Sequence, residues 1–370
     1  DGTLWTWGSN NTGQLGVGDS ITRWVPTKVG KDSNWVSMVG GWNFAIGLQS
    51  NGNLYATGIN AYYQYSDSVF IKRNAFTPIS PSQDIWLTVD AGKYHSIGLK
   101  SNGKLYAWGY NNYGELGIGS TTNVNSPKVI GKETNWKGVA AGDYHNLAIK
   151  SDGTIWAWGN NSSGELGDGT YTQRTEPQQV GTGRDWKEIA AGANHSLFLK
   201  ANGTLWVCGK NDKGQLGDGT TNDRNQLVKI SSDSDWVCIA AGAEYSLGIK
   251  SNGTLWAWGY NANGQLGIGT SSNQLTPKQV TGGNWVAIVA GMHSLGLKSN
   301  GTLFSWGLGG NGQLGDGSKK DLSSPQQVGS DKTWMAISAD EKHSLGLKID
   351  GSIYSWGLNS KGQLSDGSTN

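Results

Sequence analysis

Histidine is the residue type in this chain with the broadest catalytic and metal-binding chemistry, so its spacing is the first question. All five histidines occupy one position of a recurring block, and they are His95, His145, His195, His293 and His343. Phe44 and Tyr245 hold this position in the two other copies. Residues at one repeat position lie in different structural units, so they cannot converge on one metal at ligand distances of about 2.0 Å. We therefore predict packing and hydrogen bonding for these histidines, and no metal site.

The nucleophilic residues lack a catalytic partner. With every histidine placed in the repeat, little material is left for a Ser-His-Asp or Cys-His arrangement. Cys208 and Cys238 show neither metal-ligand spacing nor a disulfide framework, and we predict two small buried side chains. A disulfide between them requires strands within bonding reach, which the sequence leaves open. We accordingly predict that the chain is not an enzyme and needs no cofactor.

Carboxylates fall into two groups. The first recurs in a Leu-Gly/Ser-Asp-Gly segment and comprises Asp168, Asp218, Asp316 and Asp366. Turn formation explains aspartate in this segment, whose spacing is not that of a calcium-binding EF-hand loop. Glu115 and Glu165 replace glutamine in a Gly-Gln-Leu segment, and we predict that both are solvated. No spacing favours the paired carboxylates of a hydrolase, although the sequence leaves that alternative open.

Lysine also recurs at one position, and the series is Lys100, Lys150, Lys200, Lys250, Lys298 and Lys348, with Gln49 in the remaining copy. We expect a solvated rim, and the alternative is a ring of cations that attracts an anionic polymer. The net charge of +1 provides no global attraction for nucleic acid. No apolar run approaches the roughly 20 residues of a membrane span, so we predict no membrane insertion.

An internal repeat determines the elements that position these residues. The pair Asp/Asn-Gly recurs about every 50 residues, and a block led by tryptophan precedes seven of its eight copies. One unit predicts four strands, over residues 236–241, 246–250, 254–258 and, more weakly, 277–280. Asn252-Gly253 lies between two of them and predicts a type I′ hairpin turn. Four short antiparallel strands per unit indicate a propeller blade, whose faces only neighbouring blades can bury.

The repeat count predicts an all-β, seven-bladed β-propeller of four-stranded antiparallel blades. We predict a single domain over residues 1–370, made of seven repeats plus one surplus hairpin. Residues 1–18 and 350–367 are both copies of that hairpin segment. Strands from both chain ends are expected to close the ring, with a fourth strand near residues 25–29 and one hairpin copy displaced. The alternative is an open or longer array.

The blocks Ala-Gly-x-x-His-Ser-Leu-x-Leu-Lys, Asp/Asn-Gly-x-Leu-Trp-Ala-Trp-Gly and Asn-x-x-Gly-Gln-Leu-Gly resemble the regulator of chromosome condensation repeat over essentially the whole chain. The resemblance implies a seven-bladed propeller, often closed by both chain ends. Its members range from a nucleotide exchange factor to a photoreceptor and a secreted β-lactamase inhibitor, so fold alone does not assign function. The polar, weakly charged repeats are closest in character to secreted or surface bacterial members, which implies an extracellular or cell-surface location.

Residues that break the repeat are the candidates for function. Seventeen of the 19 tryptophans fall at three repeat positions and are predicted core residues. The candidate binding patch consists of off-pattern residues near one face: Trp24, Trp42, Tyr62, Tyr63, Tyr65 and Arg73. Trp42 is expected in the turn after a first strand, and Trp24 and the three tyrosines in the loops after third strands of adjacent units. Seam packing around the ring closure is the alternative. We predict a non-catalytic scaffold that engages a protein or glycan partner. The alternatives are a structural segment of a longer surface or fibre protein, and an exchange-factor or hydrolase-like activity.

Overall fold

The computed structural model describes residues 2–40, 44–59, 72–79, 85–339 and 342–358. Within these ranges every regular element is a β-strand. Backbone packing places strands β1–β14 in one compact unit and β15–β29 in a second.

The first unit holds a two-stranded sheet and three four-stranded antiparallel sheets. The two-stranded sheet consists of β1 (Trp5–Gly8) and β2 (Arg23–Lys28). The next sheet contains β3 (Trp35–Gly40), β4 (Phe44–Gln49), β5 (Leu54–Gly58) and β6 (Arg73–Pro78). The following two contain β7 (Trp86–Ala91), β8 (His95–Lys100), β9 (Leu105–Gly109) and β10 (Val124–Val129), and then β11 (Trp136–Ala141), β12 (His145–Lys150), β13 (Ile155–Gly159) and β14 (Arg174–Gln179).

The second unit holds three more four-stranded sheets and one of three strands. They contain β15 (Trp186–Ala191), β16 (His195–Lys200), β17 (Leu205–Gly209) and β18 (Arg224–Lys229), then β19 (Trp236–Ala241), β20 (Tyr245–Lys250), β21 (Leu255–Gly259) and β22 (Gln274–Gln279). The last two contain β23 (Trp285–Ala290), β24 (His293–Lys298), β25 (Leu303–Gly307) and β26 (Leu322–Gln327), and then β27 (Trp334–Ala339), β28 (His343–Lys348) and β29 (Ile353–Gly357).

Seven sheets begin on a tryptophan-led strand, which confirms the predicted all-β, seven-bladed propeller of four-stranded antiparallel blades. The sheet β27–β29 lacks a fourth strand in the described residues, and β2 corresponds in sequence to that strand. It covers residues 23–28, close to the predicted 25–29. Both copies of the surplus hairpin segment form a strand, β1 paired with β2 and β29 paired with β28.

The hairpin between the second and third strands forms where predicted, but with a different turn. Gly253 donates its N–H to the Lys250 carbonyl at 2.8 Å and has a φ of 75°. A type I′ turn requires positive φ at both central residues, and Asn252 does not adopt it. The type I′ prediction is therefore wrong: the pattern is that of a three-residue loop in which glycine alone takes the left-handed position.

The core lies between neighbouring blades, because both faces of a second strand are covered. All six residues of β20 are buried. Leu197, Leu199 and Val207 of one blade pack with Trp236 and Trp258 of the next. The ring of Trp236 meets the ring of Trp258 edge-on at 5.9 Å between centroids. Such edge-to-face pairs add about 1 kcal/mol to the area that they bury.

Both cysteines are free thiols, with Cys208 fully buried and Cys238 half-buried. Cys208 occupies the third-strand position at which Trp258 stands in the next blade. Phe198 stands where the next blade has Gly248, and its ring centroid lies 5.9 Å from that of Trp186. The thiol of Cys208 donates to the Glu165 carbonyl at 3.3 Å. Burial raises the pKa of the Cys238 thiol to about 11, so it is not a reactive thiolate near neutral pH.

Candidate functional site

The candidate patch from the sequence lies largely outside the described residues. Four of its members, Trp42, Tyr62, Tyr63 and Tyr65, fall in undescribed segments, so that part of the hypothesis stays a prediction. Trp24 was expected in the loop after a third strand. That placement is wrong, because residue 24 lies in the irregular part of β2, where the pairing with β1 shifts register.

Arg73 is the first residue of β6 and pairs with Gly58. The corresponding residues of three other fourth strands are also arginines, namely Arg23, Arg174 and Arg224. The Arg73 position is therefore a recurrent one. The criterion that selected the patch, departure from the repeat, does not single out this residue.

A different aromatic cluster is well defined. We call it the tyrosine cluster, and it consists of Tyr94, Tyr110, Tyr113, Tyr144 and the adjoining Lys93. Five ring pairs among the four tyrosines have centroids 5.5–6.3 Å apart, with planes inclined by 49–74°. The Lys93 ammonium lies 5.9 Å from the ring centroids of both Tyr94 and Tyr144. Tyr113 is 39% exposed, and the other three rings are half-buried.

Turns and loops of two consecutive blades position the cluster. Tyr94 and Tyr144 stand in the turns between first and second strands, directly before β8 and β12. The Lys93 N–H donates to the Asp143 carbonyl at 3.3 Å and joins these two turns. Tyr110 follows β9, and its N–H donates to the Tyr94 carbonyl at 3.0 Å. Backbone hydrogen bonds alone therefore hold these three segments together.

Polar side chains stabilise the loop that carries Tyr113 through hydrogen bonds to the loop backbone. Asn111 is fully buried, accepts the Leu116 N–H at 2.8 Å through Oδ1, and donates to the Ser120 and Thr122 carbonyls. Glu115 Oε2 accepts the Tyr113 N–H at 2.9 Å. These bonds satisfy the loop backbone locally and present Tyr113 outward.

Glu115 and Glu165 are fully buried, so the prediction that they are solvated is wrong. The reason is that this side chain folds back onto its own loop, as Gln215 does when its Oε1 accepts the Lys213 N–H at 2.9 Å. Burial raises the pKa of Glu115 to about 7. It also raises the pKa of Glu165.

The Tyr144 hydroxyl lies near other polar groups of the cluster. Burial is the main cause that raises the pKa of Tyr144 to about 12, and the nearby Tyr94 hydroxyl and the Asp143 carboxylate add to it. The Tyr144 phenol is therefore a neutral hydrogen-bonding group near pH 7.

The corresponding positions of the blades β15–β18 and β19–β22 carry charges. Lys210, Lys213 and Glu244 stand where the cluster has Tyr110, Tyr113 and Tyr144. Lys210 Nζ lies 3.6 Å from Glu244 and 3.5 Å from Asp212, and Lys213 Nζ lies 3.1 Å from Asp212. We call this set the charged network. In both places the loops bring the ends of side chains together. These ends are mostly phenol rings in the tyrosine cluster and paired charges in the charged network.

The histidines join neighbouring blades, which confirms their predicted structural role. His95 Nε2 lies 3.0 Å from Asn146 Oδ1, and Asn146 Nδ2 donates to the Glu115 carbonyl. His195 Nε2 lies 3.0 Å from Ser246 Oγ in the same way. Burial lowers the pKa of His95 and of His195 to about 4. Both imidazoles are therefore neutral near pH 7 and are committed to seams between blades.

The recurrent lysines are not a solvated rim, and that prediction is wrong. Lys100, Lys150, Lys250 and Lys348 are only 6–8% exposed. The Lys150 ammonium lies 4.6 Å from the ring centroid of Trp136 and 3.6 Å from that of Trp156. All six lysines contact two aromatic rings of their own blade in this manner. Stacking on tryptophan explains the burial, and it leaves no open cationic ring for a polymer.

The recurrent aspartates are turn residues, as predicted. Asp168 and Asp218 each accept hydrogen bonds from the N–H and the hydroxyl of the threonine two residues on. Asp316 accepts both groups of Ser318, and Asp366 lies outside the described residues. Over the ranges that the structure describes, no three His, Cys, Asp or Glu side chains group in a way that could hold a metal ion. None of the described elements is a helix able to span a bilayer.

Sequence reasoning missed the tyrosine cluster because its members stand in loops about 50 residues apart. The sequence nevertheless contains a signal for this cluster. Two consecutive copies have tyrosine directly before the repeat histidine, at residues 94 and 144, where the next two copies have Asn194 and Glu244. The first of these copies also has two more tyrosines after its third strand.

Two family models match the chain. The RCC1-like domain matches residues 83–370, and the regulator of chromosome condensation (RCC1) repeat matches residues 1–48. The Ultraviolet-B receptor UVR8 of Arabidopsis thaliana is 32% identical over 130 residues, which is 34% of this chain and 30% of that protein. The X-linked retinitis pigmentosa GTPase regulator of Homo sapiens is 34% identical over 131 residues, which is 34% of this chain and 13% of that protein.

The matched part thus spans less than a third of each of these curated relatives. Among solved structures, Kap60 bound to yeast RCC1 (Prp20) provides a chain that is 21% identical, with a TM-score of 0.76 over 93% of this chain and 88% of that one. At this identity the likeness shows the fold. The two curated relatives come from a plant and from human, so they do not confirm the expected kinship with secreted or surface bacterial members.

Proposed function

The chain belongs to the RCC1-like domain family, and we propose that it is a non-catalytic interaction module that binds a protein partner through the tyrosine cluster. Similar proteins engage other proteins: one similar solved structure is that of Kap60 bound to yeast RCC1, and one relative is a GTPase regulator. These names describe those proteins. For this chain, the proposal depends on its own residues.

The observation that carries the proposal is the contrast between recurrent side chains that are committed to the fold and an aromatic cluster that is partly exposed. The repeat histidines are buried in seams, the recurrent lysines stack on tryptophan, and the recurrent aspartates close turns. The tyrosine cluster departs from the repeat and is partly exposed at Tyr113. Clustered tyrosines next to a cation are typical of the residues that contribute most to protein interfaces.

The test compares three purified proteins as bait in an extract of the source cells. The first is the wild-type chain, and the second carries Tyr113→Ser with Tyr144→Asn. Ser163 and Asn194 stand at the equivalent positions of other blades, so the fold accepts these residues there. The third carries Tyr171→Ser, which removes a tyrosine that is 53% exposed but lies outside the cluster.

We expect wild type and the Tyr171 variant to capture the same protein, and the double variant to lose it. Direct titration of that protein, once purified, then measures the loss in affinity. Melting temperatures within a degree or two of each other establish that the fold is intact. Equal capture by all three baits contradicts the proposal.

An extracellular or cell-surface location remains part of the proposal, because low charge and Asn-, Ser- and Thr-rich turns suit such a setting. Fractionation of source cells with an antibody to this chain tests it. Recovery only from the cytosolic fraction contradicts it.

A further inference from the structure

We propose that Lys298 binds a single aspartate or glutamate side chain of a protein partner, within a segment whose neighbouring residues are apolar. This surface goes beyond the proposed function, because Lys298 lies in the second unit and the tyrosine cluster in the first. The lysine itself follows the repeat. The loop before its blade, residues 281–284, is what departs from the repeat.

In five other blades, a carboxylate of this loop bonds the side chain at the lysine position. The carboxylate stands one or three residues before the first tryptophan of the blade. Its oxygen lies 2.7–3.9 Å from the side-chain nitrogen. The pairs are Asp32 with Gln49, Glu133 with Lys150, Asp185 with Lys200, Asp233 with Lys250, and Asp331 with Lys348. Four of these blades therefore neutralise their own lysine.

The loop before β23 supplies no such carboxylate. Gly282 and Asn284 stand at the two positions, and residues 281–284 contain neither Asp nor Glu. In the part of the chain that the structure describes, the Lys298 ammonium forms no ion pair. Lys298 is also half-buried, whereas Lys250 and Lys348 are buried. This blade thus keeps the cation of the repeat but lacks its counter-charge.

Two aromatic rings hold the ammonium of Lys298 in place. Its nitrogen lies 4.7 Å from the ring centroid of Trp285 and 4.3 Å from that of Phe304. A cation fixed in this way has lost much of its side-chain freedom before a ligand arrives, so binding costs less conformational entropy. Neither ring supplies an oxygen acceptor. The N–H donors of the ammonium therefore lack the partner that a carboxylate provides in the other blades.

Glycine at position 282 leaves the approach to the ammonium open. Gly282 is exposed, and a Cβ atom at this residue would stand 3.0 Å from Lys298 Nζ. A side chain here would cover the ammonium, and glycine removes that cover. A carboxylate oxygen of another molecule can therefore reach Lys298, as the oxygens of Asp233 and Asp331 reach their lysines at 2.8 and 2.7 Å.

The surroundings favour a carboxylate on a protein over other anions. One ammonium matches one carboxylate oxygen, whereas phosphate sites gather several donors. Strand β24, which ends at Lys298, pairs with β23 and packs against β27. Val286 of β23 and Met335 of β27 are 53% and 56% exposed. A protein segment can cover these apolar side chains with its own, which a small anion cannot.

The experiment screens the full chain on a synthetic array of heptapeptides. Each peptide has a central aspartate flanked by apolar residues, and two matched arrays have asparagine or phosphoserine at the centre. We expect wild type to bind members of the aspartate array about tenfold more strongly than their asparagine counterparts, because only the carboxylate forms a charge-assisted hydrogen bond with the ammonium. Fluorescence anisotropy with the best aspartate peptide then measures the affinity of each variant.

The variants remove the cation or neutralise it from within the chain. Lys298→Gln removes it, and Gln49 shows that the fold accepts glutamine at this position. Gly282→Asp places a carboxylate where another blade has Asp233. We expect either change to weaken binding of the aspartate peptide about tenfold. Lys250→Gln alters a lysine that is paired within its own blade, so we expect it to keep wild-type affinity.

Gly282→Asn is the matched control for Gly282→Asp, because it has the same shape without the charge. We expect it to bind the aspartate peptide more tightly than Gly282→Asp does. Equal losses in these two variants would assign the effect to size and contradict the role of charge. Melting temperatures close to that of wild type establish that each variant is folded.

Absence of binding to the aspartate array overturns the inference, and so does equal affinity of wild type and Lys298→Gln for the best peptide. Binding confined to the phosphoserine array replaces the carboxylate by a phosphate and overturns it as well. Tyr113→Ser with Tyr144→Asn is expected to bind the aspartate peptide as wild type does. This inference and the proposed function therefore stand or fall separately.

Discussion

The tyrosine cluster and the charged network occupy equivalent loops of the same repeat but give these loops different surfaces, one aromatic and one charged. In the charged network, Lys210 and Lys213 are neutralised by Glu244 and Asp212 at 3.1–3.6 Å. Exposed ion pairs of this kind contribute little to stability, and they leave no apolar surface for a partner. In the tyrosine cluster the same frame holds rings whose remaining exposed area only a partner can bury.

The difference shows that the repeat supplies one frame on which a few side chains set the chemistry of a surface. A residue that recurs in every blade is committed to the seams or turns. A residue that varies at a loop position is free to specify a surface. Glu115 and Gln215 show a similar contrast. They occupy one position in two blades, and only the Glu115 side chain can carry a charge.

The largest expected effect comes from converting one region into the other. The triple variant Tyr110→Lys, Tyr113→Lys and Tyr144→Glu places three of the four residues of the charged network in the loops of the cluster, with Asn112 at the position of Asp212. We expect it to abolish binding of the protein partner, because three of the four tyrosine rings of the cluster are gone. The melting temperature is expected to stay close to wild type, because the second unit folds with these residues. Wild-type affinity in this variant would remove the basis of the comparison.

A pH titration sharpens the contrast between Glu115 and Gln215. The folded protein raises the pKa of Glu115 from 4.5 to about 7, so the folded state holds this proton more tightly than the unfolded state. Stability from this group is therefore complete below pH 4.5 and falls as the pH rises to about 7, by at most about 3 kcal/mol. Urea unfolding at several pH values measures this loss.

Glu115→Gln is expected to remove that part of the pH dependence, because glutamine fits the same hydrogen bond and does not titrate. Gln215→Glu is the reciprocal control and is expected to introduce a similar dependence. Identical pH profiles for Glu115→Gln and wild type would show that the carboxyl is not the cause.

A smaller effect is expected from the candidate residues outside the described ranges. Replacement of Trp42 and Tyr63 by alanine is predicted to weaken the partner several-fold without lowering the melting temperature, because exposed aromatics contribute to binding more than to folding. Titration of the purified partner measures this effect. A lower melting temperature with unchanged binding would instead support seam packing at these positions.

The smallest effect is expected in the charged network. Lys213→Ala removes an exposed partner of Asp212, and we expect no measurable change in melting temperature at physiological salt. Calorimetry at low and physiological salt checks this. A clear loss of stability at both salt concentrations would mean that the network is structural and not merely the charged counterpart of the tyrosine cluster.

The sequence predicted most of the fold because its signals are local. Alternation of apolar residues within five or six positions defines a strand, and Asn-Gly pairs mark the hairpins. The first strand predicted for one blade, residues 236–241, coincides with β19. Repetition then supplied the blade count, and it showed that histidines in separate blades cannot form one site.

The candidate site was less accessible to sequence reasoning. Tyr94, Tyr113 and Tyr144 each look like ordinary loop residues, and only the pairing of neighbouring turns brings their rings within 6.3 Å. The burial of Glu115 and Lys150 was likewise misjudged, because charge predicts exposure unless a specific partner is known. The partner of Glu115 is the backbone N–H of Tyr113 in its own loop, and the partners of Lys150 are two tryptophan rings on neighbouring strands.

The amino-acid sequence by itself thus determined the strands, the hairpins, the number of blades and the structural role of the recurrent histidines, because each depends on residues close in the chain or on exact repetition. Tertiary structure alone decided which off-pattern side chains meet and which charges are buried. The physical reason is that contacts between blades join residues about 50 positions apart, and no single repeat encodes the distance between their side chains.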